Sequence, residues 1–289
     1  MVKIFDRKAI LASNNRLIEH FLNYNFLHQE IAIRICENLQ IFNRKFANIL
    51  ELSAKNSDII NNLAKYDLLT NIYDCNFIQS YFCENSRFLR QQIDINKINH
   101  IYQSNHNIIV ADDEYLPFAD NSFDLIISNL NLHFVNEVPY FLMRSHQMLK
   151  KDGILMISFF GEENLSKLSQ AIYKAEELIY NTSSAIMPPT IDIKTAANLL
   201  GNAGFADKMS IVEKINIEYR NLNQMLKDIK MMGQSNFMAK KNKRFFSKRF
   251  ITEIAKQYSS NSNDSSNIEA NFEVVFAIAI KGSNAISNL

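Results

Sequence analysis

Residues 111–153 constrain the fold more than any other stretch, because they pass in order through an acidic loop, a Leu-Pro-Phe turn, an apolar run, a polar tip and an amphipathic segment. The apolar run, Phe123–Ser128, is typical of a strand that is covered on both faces in a parallel sheet. Asn129, Asn131 and His133 follow at its carboxyl end, which is the edge where open α/β sheets bind ligands. This order predicts a strand–helix unit with a ligand-binding edge.

The amphipathic segment predicts a helix that begins near Val138. Its apolar positions recur at helical spacing, and they are followed by Lys150, Lys151 and Gly153. Cations and glycine are favoured where a helix ends, so the helix is expected to end at these residues.

Further apolar runs predict a complete α/β sheet. The expected strands are residues 46–52, 68–73, 107–110, 123–128, 154–160, 208–219 and 272–280. Helical insertions at about 161–190 and 221–260 are expected to cover the strand tips as a lid. Residues 1–45 predict a helical N-terminal arm, and residues 46–289 a single domain that carries the insertions.

Composition argues against several classes of protein. A net charge of +1 over 289 residues gives no general reason to expect DNA binding. A basic run interleaved with Phe at residues 240–250 is either a solvated helix face or a contact surface for an acidic protein or RNA. No run approaches the roughly 20 apolar residues that span a membrane, and the N-terminus lacks a signal-peptide pattern, so a bacterial cytoplasmic location is expected. Cys36, Cys75 and Cys83 lack paired spacing, so reduced thiols and no metal site are expected.

The ligand edge resembles the second half of the S-adenosylmethionine (SAM) site in class I methyltransferases of the Rossmann-like type. Asp112 lies before the Leu-Pro-Phe turn at residues 116–118, and the strand begins with Phe123-Asp124. The resemblance implies that Asp112, with Asp113 beside it, recognises the adenine amino group. It also implies that the polar tip, which begins at Asn129, faces the methyl donor.

Residues 51–57 stand where this family carries an acidic residue, a leucine and a glycine-rich loop. Glu51 keeps the acidic position, but Ser53, Lys55 and Ser57 occupy the glycine positions. Glycine lets the backbone approach the ligand and adopt positive φ, and a side chain at positive φ costs on the order of 1 kcal/mol. Asp74 follows the second strand, where an acidic side chain can accept hydrogen bonds from ribose hydroxyls. SAM binding is therefore expected to be weak or lost.

Four further segments resemble the complex I assembly factor family, which is related to the biotin-pathway malonyl carrier methyltransferases. They are IFDR at residues 4–7, FLHQEIAIRI at 26–35, LLGNAGF at 199–205 and MLKDIKMMGQSN at 225–236. The family's mitochondrial member is regarded as hydroxylating an arginine on a complex I subunit. The resemblance implies a respiratory complex I subunit as partner, and so a possible place at the inner face of the membrane.

Several functions stay open at this point. The first is a SAM-dependent methyltransferase with a protein substrate, which would hold its cofactor through the acidic positions and position the acceptor by proximity. His133 is a candidate general base there, although a histidine at a strand tip is as often a structural hydrogen-bonding group. The alternatives are a protein hydroxylase, a carboxyl methyltransferase of the biotin-pathway type, and a non-catalytic assembly chaperone. The cofactor residues that the resemblance implies are Glu51, Ser53, Lys55, Asp74, Asp112, Asp113 and Asn129.

Overall fold

The computed structural model describes residues 3–56, 58–76, 106–182, 187–239, 247–259 and 267–282. The strands are β1 Phe46–Leu52, β2 Leu69–Asn76, β3 His106–Val110, β4 Phe123–Ser128, β5 Leu149–Phe160, β6 Asp207–Tyr219 and β7 Ile268–Lys281. The helices of these ranges are α1 Arg7–Phe21, α2 Phe26–Leu39, α3 Asp58–Lys65, α4 Val138–Met148, α5 Ser166–Tyr180, α6 Ile193–Asn202, α7 Leu222–Met231 and α8 Lys248–Ser259.

The strands form one mixed sheet in the order β3-β2-β1-β4-β5-β7-β6. The first five strands of that order are parallel, whereas β7 is antiparallel to both β5 and β6. Because the chain moves outward from β1 in one direction and from β4 in the other, a crevice opens between their carboxyl ends. The predicted α/β sheet of Rossmann-like type is confirmed.

Apolar side chains cover both faces of the sheet, which explains the continuous apolar runs in its parallel strands. On one face, Ile49 and Leu125 pack in a cluster with α2, α3, α5 and α8. On the other face, Leu50 and Ile126 pack in a cluster with α4 and α6. The alternation places successive residues of β1 and β4 on opposite faces.

The N-terminal arm is helical, as predicted, and α2 is part of the main core. Its residues Leu27, Ile31, Ile35 and Leu39 are all 0 % exposed. The segment before α1 lies against residues 237–239, here called the lid segment. Asp6 N–H donates to the Phe237 carbonyl at 2.8 Å.

Three details differ from the sequence predictions. Helix α4 ends at Met148, so the prediction that it extends to Lys150–Gly153 is wrong: Leu149 already pairs with Phe123 in the sheet ladder. Asp74 lies inside β2 rather than after it, because the strand continues to Asn76. The described part of the insertion at 221–260 contains two helices, α7 and α8. Most of its basic run, residues 240–246, and also Ser57 and Cys83, lie outside the described residues.

Candidate functional site

Two buried carboxyl groups lie side by side at the tips of β1 and β2. Glu51 and Asp74 are register partners, and each is 3 % exposed. Glu51 Oε2 and Asp74 Oδ1 have no hydrogen-bond partner among the described residues. Burial, followed by the charge of Asp74, raises the pKa of Glu51 well above its ordinary value. Buried oxygens without partners are costly, so this pair fits a ligand that supplies hydroxyl or amino hydrogens.

The other oxygen of Asp74 is held within the sheet. His106 Nε2 lies 2.6 Å from Asp74 Oδ2. Burial alone would lower the pKa of His106, but the hydrogen bond and charge of Asp74 outweigh burial and raise it. The histidine therefore orients the carboxylate and leaves Oδ1 for a ligand.

The loop after β1 keeps one glycine-like conformation without glycine. Ser53 has φ of +56°, in the left-handed region, whereas Lys55 is not among the residues with positive φ. The Ser53 hydroxyl donates to Asp113 Oδ2 at 2.9 Å. The side chain of Lys55 is 7 % exposed, and its Nζ lies 3.5 Å from His28 Nε2. Side chains thus fill the space that glycines would leave open along this loop.

The acidic edge after β3 is occupied by a cation from the N-terminal helix. Arg7 forms ion pairs with both Asp113 and Asp112, the latter at 2.5 Å. Asp113 also accepts a hydrogen bond from Asn131 Nδ2 at 2.5 Å. Burial would raise the pKa of Asp113, but Arg7 and the donated hydrogen bonds outweigh burial and lower it. Asp112 is more exposed, at 35 %, and burial raises its pKa.

Asn129 has a different neighbourhood from the other predicted site residues. Its Nδ2 donates to the His28 carbonyl at 3.0 Å, and its Oδ1 accepts from Ser158 Oγ at 3.2 Å. These contacts join α2 to the sheet, and they do not connect Asn129 to the acidic groups.

A second polar group lies near Lys55 and joins His133, the candidate general base of the sequence analysis, to Gln234 and His28, which were not predicted as site residues. His133 Nε2 is 2.8 Å from Gln234 Oε1, and Gln234 Nε2 is 3.5 Å from His28 Nε2. Burial, and next the charge of Lys55, lowers the pKa of His28 well below its ordinary value. Arg7, His28 and Gln234 all fall inside the family segments IFDR, FLHQEIAIRI and MLKDIKMMGQSN. That shared membership was the sequence signal that could have identified them.

The glycine of the last segment has a structural reason. Gly233 has φ of +75°, and a Cβ there would lie 2.8 Å from Asn14 Oδ1 of α1. A side chain at this position would be strained and would clash with α1. The turn at Gly233 packs closely on α1, and it therefore places Gln234 at the site.

A sheet of this strand order, with acidic groups at the tips of β1 and β2 and after β3, defines the class I methyltransferase architecture. The family described as "Methyltransferase domain" matches residues 67–157. YcgJ of Bacillus subtilis superposes with a TM-score of 0.56 at 14 % identity, over 86 % of this chain and 99 % of that one. This likeness supports the fold alone.

Relatives extend the match along the chain. The mitochondrial arginine-hydroxylase NDUFAF5 of Rattus norvegicus is 27 % identical over 97 % of this chain and 78 % of its own. RP459 of Rickettsia prowazekii, a protein named for the methyltransferases, is 32 % identical over 54 % of this chain and 69 % of its own. A malonyl-[acyl-carrier protein] O-methyltransferase of Gallionella capsiferriformans is 30 % identical over 60 % of this chain and 57 % of its own. The chain belongs to the class I methyltransferase family and is a SAM-dependent methyltransferase-like protein.

The described helices include none that is long and apolar enough to cross a membrane.

Proposed function

We propose that the protein acts on a protein substrate, as a SAM-dependent methyltransferase-like member of the complex I assembly group. The observation that carries this proposal is the similarity to arginine-hydroxylases over 97 % of the chain, which includes the N-terminal arm and the helical insertions as well as the sheet. Segments at strand tips are free to vary with the substrate, so their retention favours a shared type of substrate.

The described residues fit SAM at the tips of β1 and β2. Glu51 and Asp74 each present a buried oxygen that has no partner among the described residues, and these oxygens would accept hydrogens from the amino group and ribose of the cofactor. Asp112 would accept from the adenine amino group after Arg7 has left it. When bound, SAM supplies an electrophilic methyl group, and the protein's contribution is to hold donor and acceptor in line.

Binding is proposed to be weak, because the protein itself fills much of the cofactor space. Ser53 and Lys55 add side chains along the loop, and Arg7 must break its ion pair with Asp112 before adenine can bind there.

Calorimetric titration with SAM and S-adenosylhomocysteine tests the cofactor proposal. The triple variant Ser53→Gly/Lys55→Gly/Ser57→Gly is expected to bind SAM more tightly than the wild type. Asn43→Gly is a matched control, since Asn43 has φ of +44° outside the site. If about 1 mM SAM stabilised the wild type by roughly 2.7 kcal/mol, its Kd would be near 10 µM and the proposal of weak binding would be wrong.

A carboxyl methyltransferase acting on a malonyl carrier is the second candidate. The observation in its favour is the 30 % identity to the Gallionella protein. The two candidates differ in their partner, because one requires a complex I subunit and the other a small carrier protein.

Affinity capture from the native cell separates these candidates. We expect the tagged protein to recover a complex I subunit, which would bring it to the inner face of the membrane through that partner. Changing Lys243, Arg244 and Lys248 to glutamate is expected to reduce recovery if the basic run contacts the partner. The matched control changes three exposed lysines away from α8 to glutamate, namely Lys151, Lys194 and Lys208. Recovery of a carrier protein by the wild type would favour the second candidate.

A further inference from the structure

Three polar side chains from distant parts of the chain meet beside the strand tips, apart from the acidic groups assigned to SAM. They are His28 of α2, His133 of the turn after β4, and Gln234 of the segment after α7. His28 is 3 % exposed and His133 is 8 % exposed. Polar groups this deeply buried require partners, so their hydrogen-bonding pattern can be worked out atom by atom.

The orientation of the Gln234 amide follows from its neighbours. Its Nε2 lies 3.5 Å from the Leu130 carbonyl, which can only accept a hydrogen bond. Its Oε1 therefore faces His133 Nε2, at 2.8 Å. An amide oxygen only accepts, so His133 Nε2 must carry the hydrogen.

This assignment leaves His133 Nδ1 as a bare lone pair. Burial lowers the pKa of His133 to about 4, so the ring is neutral at physiological pH and carries one hydrogen. Nδ1 has no hydrogen-bond partner among the described residues. The rings of Phe134 and Phe160 lie 4.4 and 4.8 Å from the imidazole by centroid, and they fix its plane. The site thus contains an oriented acceptor to which no described residue donates a hydrogen bond.

We propose that His133 Nδ1 binds an N–H group of the substrate side chain, and that Gln234 is the positioning residue that selects this tautomer. The inference rests on the proposed protein substrate and narrows its chemical class. A lone pair attracts a donor such as a guanidinium or amine N–H, whereas a carboxylate presents only acceptors at neutral pH. A carboxylate, such as the acceptor of a malonyl-type reaction, has no hydrogen to donate to this atom.

Nitrogen-15 NMR of the full-length protein, labelled at histidine, tests the tautomer directly. We expect the His133 signals, assigned by their loss in His133→Asn, to show hydrogen on Nε2 and a bare Nδ1 that stays neutral down to about pH 5. Gln234→Glu would place an anion at Nε2 and favour the imidazolium, so the pKa of His133 should rise by at least about one unit. Lys55 and His28, the other titratable groups near the ring, are unchanged in this variant. His20, exposed on α1, serves as the internal reference.

Binding is tested with two matched probes, N-acetyl-arginine amide and N-acetyl-glutamate amide, which differ only in the side chain. The arginine probe should shift the Nδ1 signal of the wild type, and Gln234→Leu should weaken that shift while thermal melting shows it to be folded. Hydrogen on Nδ1 in the wild type, or a shift with the glutamate probe alone or with both probes equally, would overturn the inference.

Titrating SAM into the same samples keeps the two proposals distinguishable. If the arginine probe alone shifts the Nδ1 signal and SAM does not bind, the substrate subsite is supported and the proposal of methyl transfer is contradicted. If SAM binds and His133 carries its hydrogen on Nδ1, the subsite proposal is contradicted and the proposal of methyl transfer is unaffected.

Discussion

Lys55 shows what a single residue does when it replaces a loop glycine. Its ammonium is buried beside His28 and lies 5.9 Å from the centre of the Phe21 ring. Burial lowers its pKa to about 8, although the charge of Asp113 acts in the opposite direction. Burial of this cation therefore lowers the free energy of unfolding, by an amount that varies with pH.

We expect Lys55→Met to raise the free energy of unfolding at pH 7 by about 1 to 3 kcal/mol. Between about pH 8 and pH 10.4 the unfolded chain holds the lysine proton more tightly than the folded protein, so wild-type stability rises with pH across this window. The gap between variant and wild type should therefore close from pH 8 to pH 10 in denaturant unfolding. Lys65→Met, at an exposed lysine of α3, is the control, and a constant gap would contradict the buried-cation argument.

Asp113 is the other residue whose role depends on burial. Asp112 matches the family's adenine position, but the deeper carboxylate is Asp113, which binds Arg7, Ser53 and Asn131 together. A buried carboxylate with three donors is stable only while they remain, so this neighbour of the predicted adenine position also organises the acidic edge after β3.

Helix α1 covers the acidic edge that follows β3. Asp6 caps the helix by accepting from the Ala9 N–H at 3.0 Å, and Arg7 in the first turn reaches the acidic edge. Phe5 packs with Phe134 and Phe237, and it forms an isolated β-bridge with Met238. These contacts join the N-terminal segment, the turn after β4 and the lid segment.

Arg7→Gln is expected to tighten SAM binding by about three- to tenfold, because it frees Asp112 and replaces the cation beside Asp113 with a neutral donor. The same change should lower stability, since a buried carboxylate loses its cation. Arg16→Gln, at an exposed position of the same helix, should alter neither quantity. Calorimetry with SAM gives the affinity, and denaturant unfolding gives the stability. Weaker SAM binding by Arg7→Gln would mean that Arg7 belongs to the cofactor site instead of blocking it.

At the scale of the whole molecule, the N-terminal arm and the sheet share one core. Fully burying an aliphatic side chain contributes about 1.5 to 3 kcal/mol, and α2 buries four of them. Their sum is similar to the roughly 5 to 15 kcal/mol by which a whole protein is stable.

A chain that lacks residues 1–43 is therefore expected to lose cooperative thermal unfolding. The milder variant Ile31→Ala should cost about 2 to 5 kcal/mol, whereas Ile41→Ala, at a side chain 48 % exposed, should cost less than about 0.5 kcal/mol. A cooperative melt of the truncated chain would show that the sheet folds without α2.

Strands and helices that are marked by short-range sequence patterns could be predicted from the amino-acid sequence alone. Phe46–Leu52 and Phe123–Ser128 form strands with the predicted bounds, because a short apolar run between polar residues marks both ends of a buried strand. The order of motifs in residues 111–153, together with the other apolar runs, likewise predicted the fold. Local signals were weaker at the end of α4, where pairing of Leu149 with Phe123 overrode the favourable helix-ending residues.

The hydrogen-bond and ion-pair partners of the site residues follow from the packing of distant segments and could not be predicted from the sequence. Arg7 and Asp112 are 105 positions apart in the chain, and His133 and Gln234 are 101 apart. Apolar periodicity is a property of neighbouring residues, whereas the partner of a buried charge depends on which distant segments pack together. For this reason the sequence identified carboxylates as candidates for holding a cofactor, but it did not identify their partner. The ion pairs of Arg7 with Asp112 and Asp113 depend on how α1 packs against the sheet.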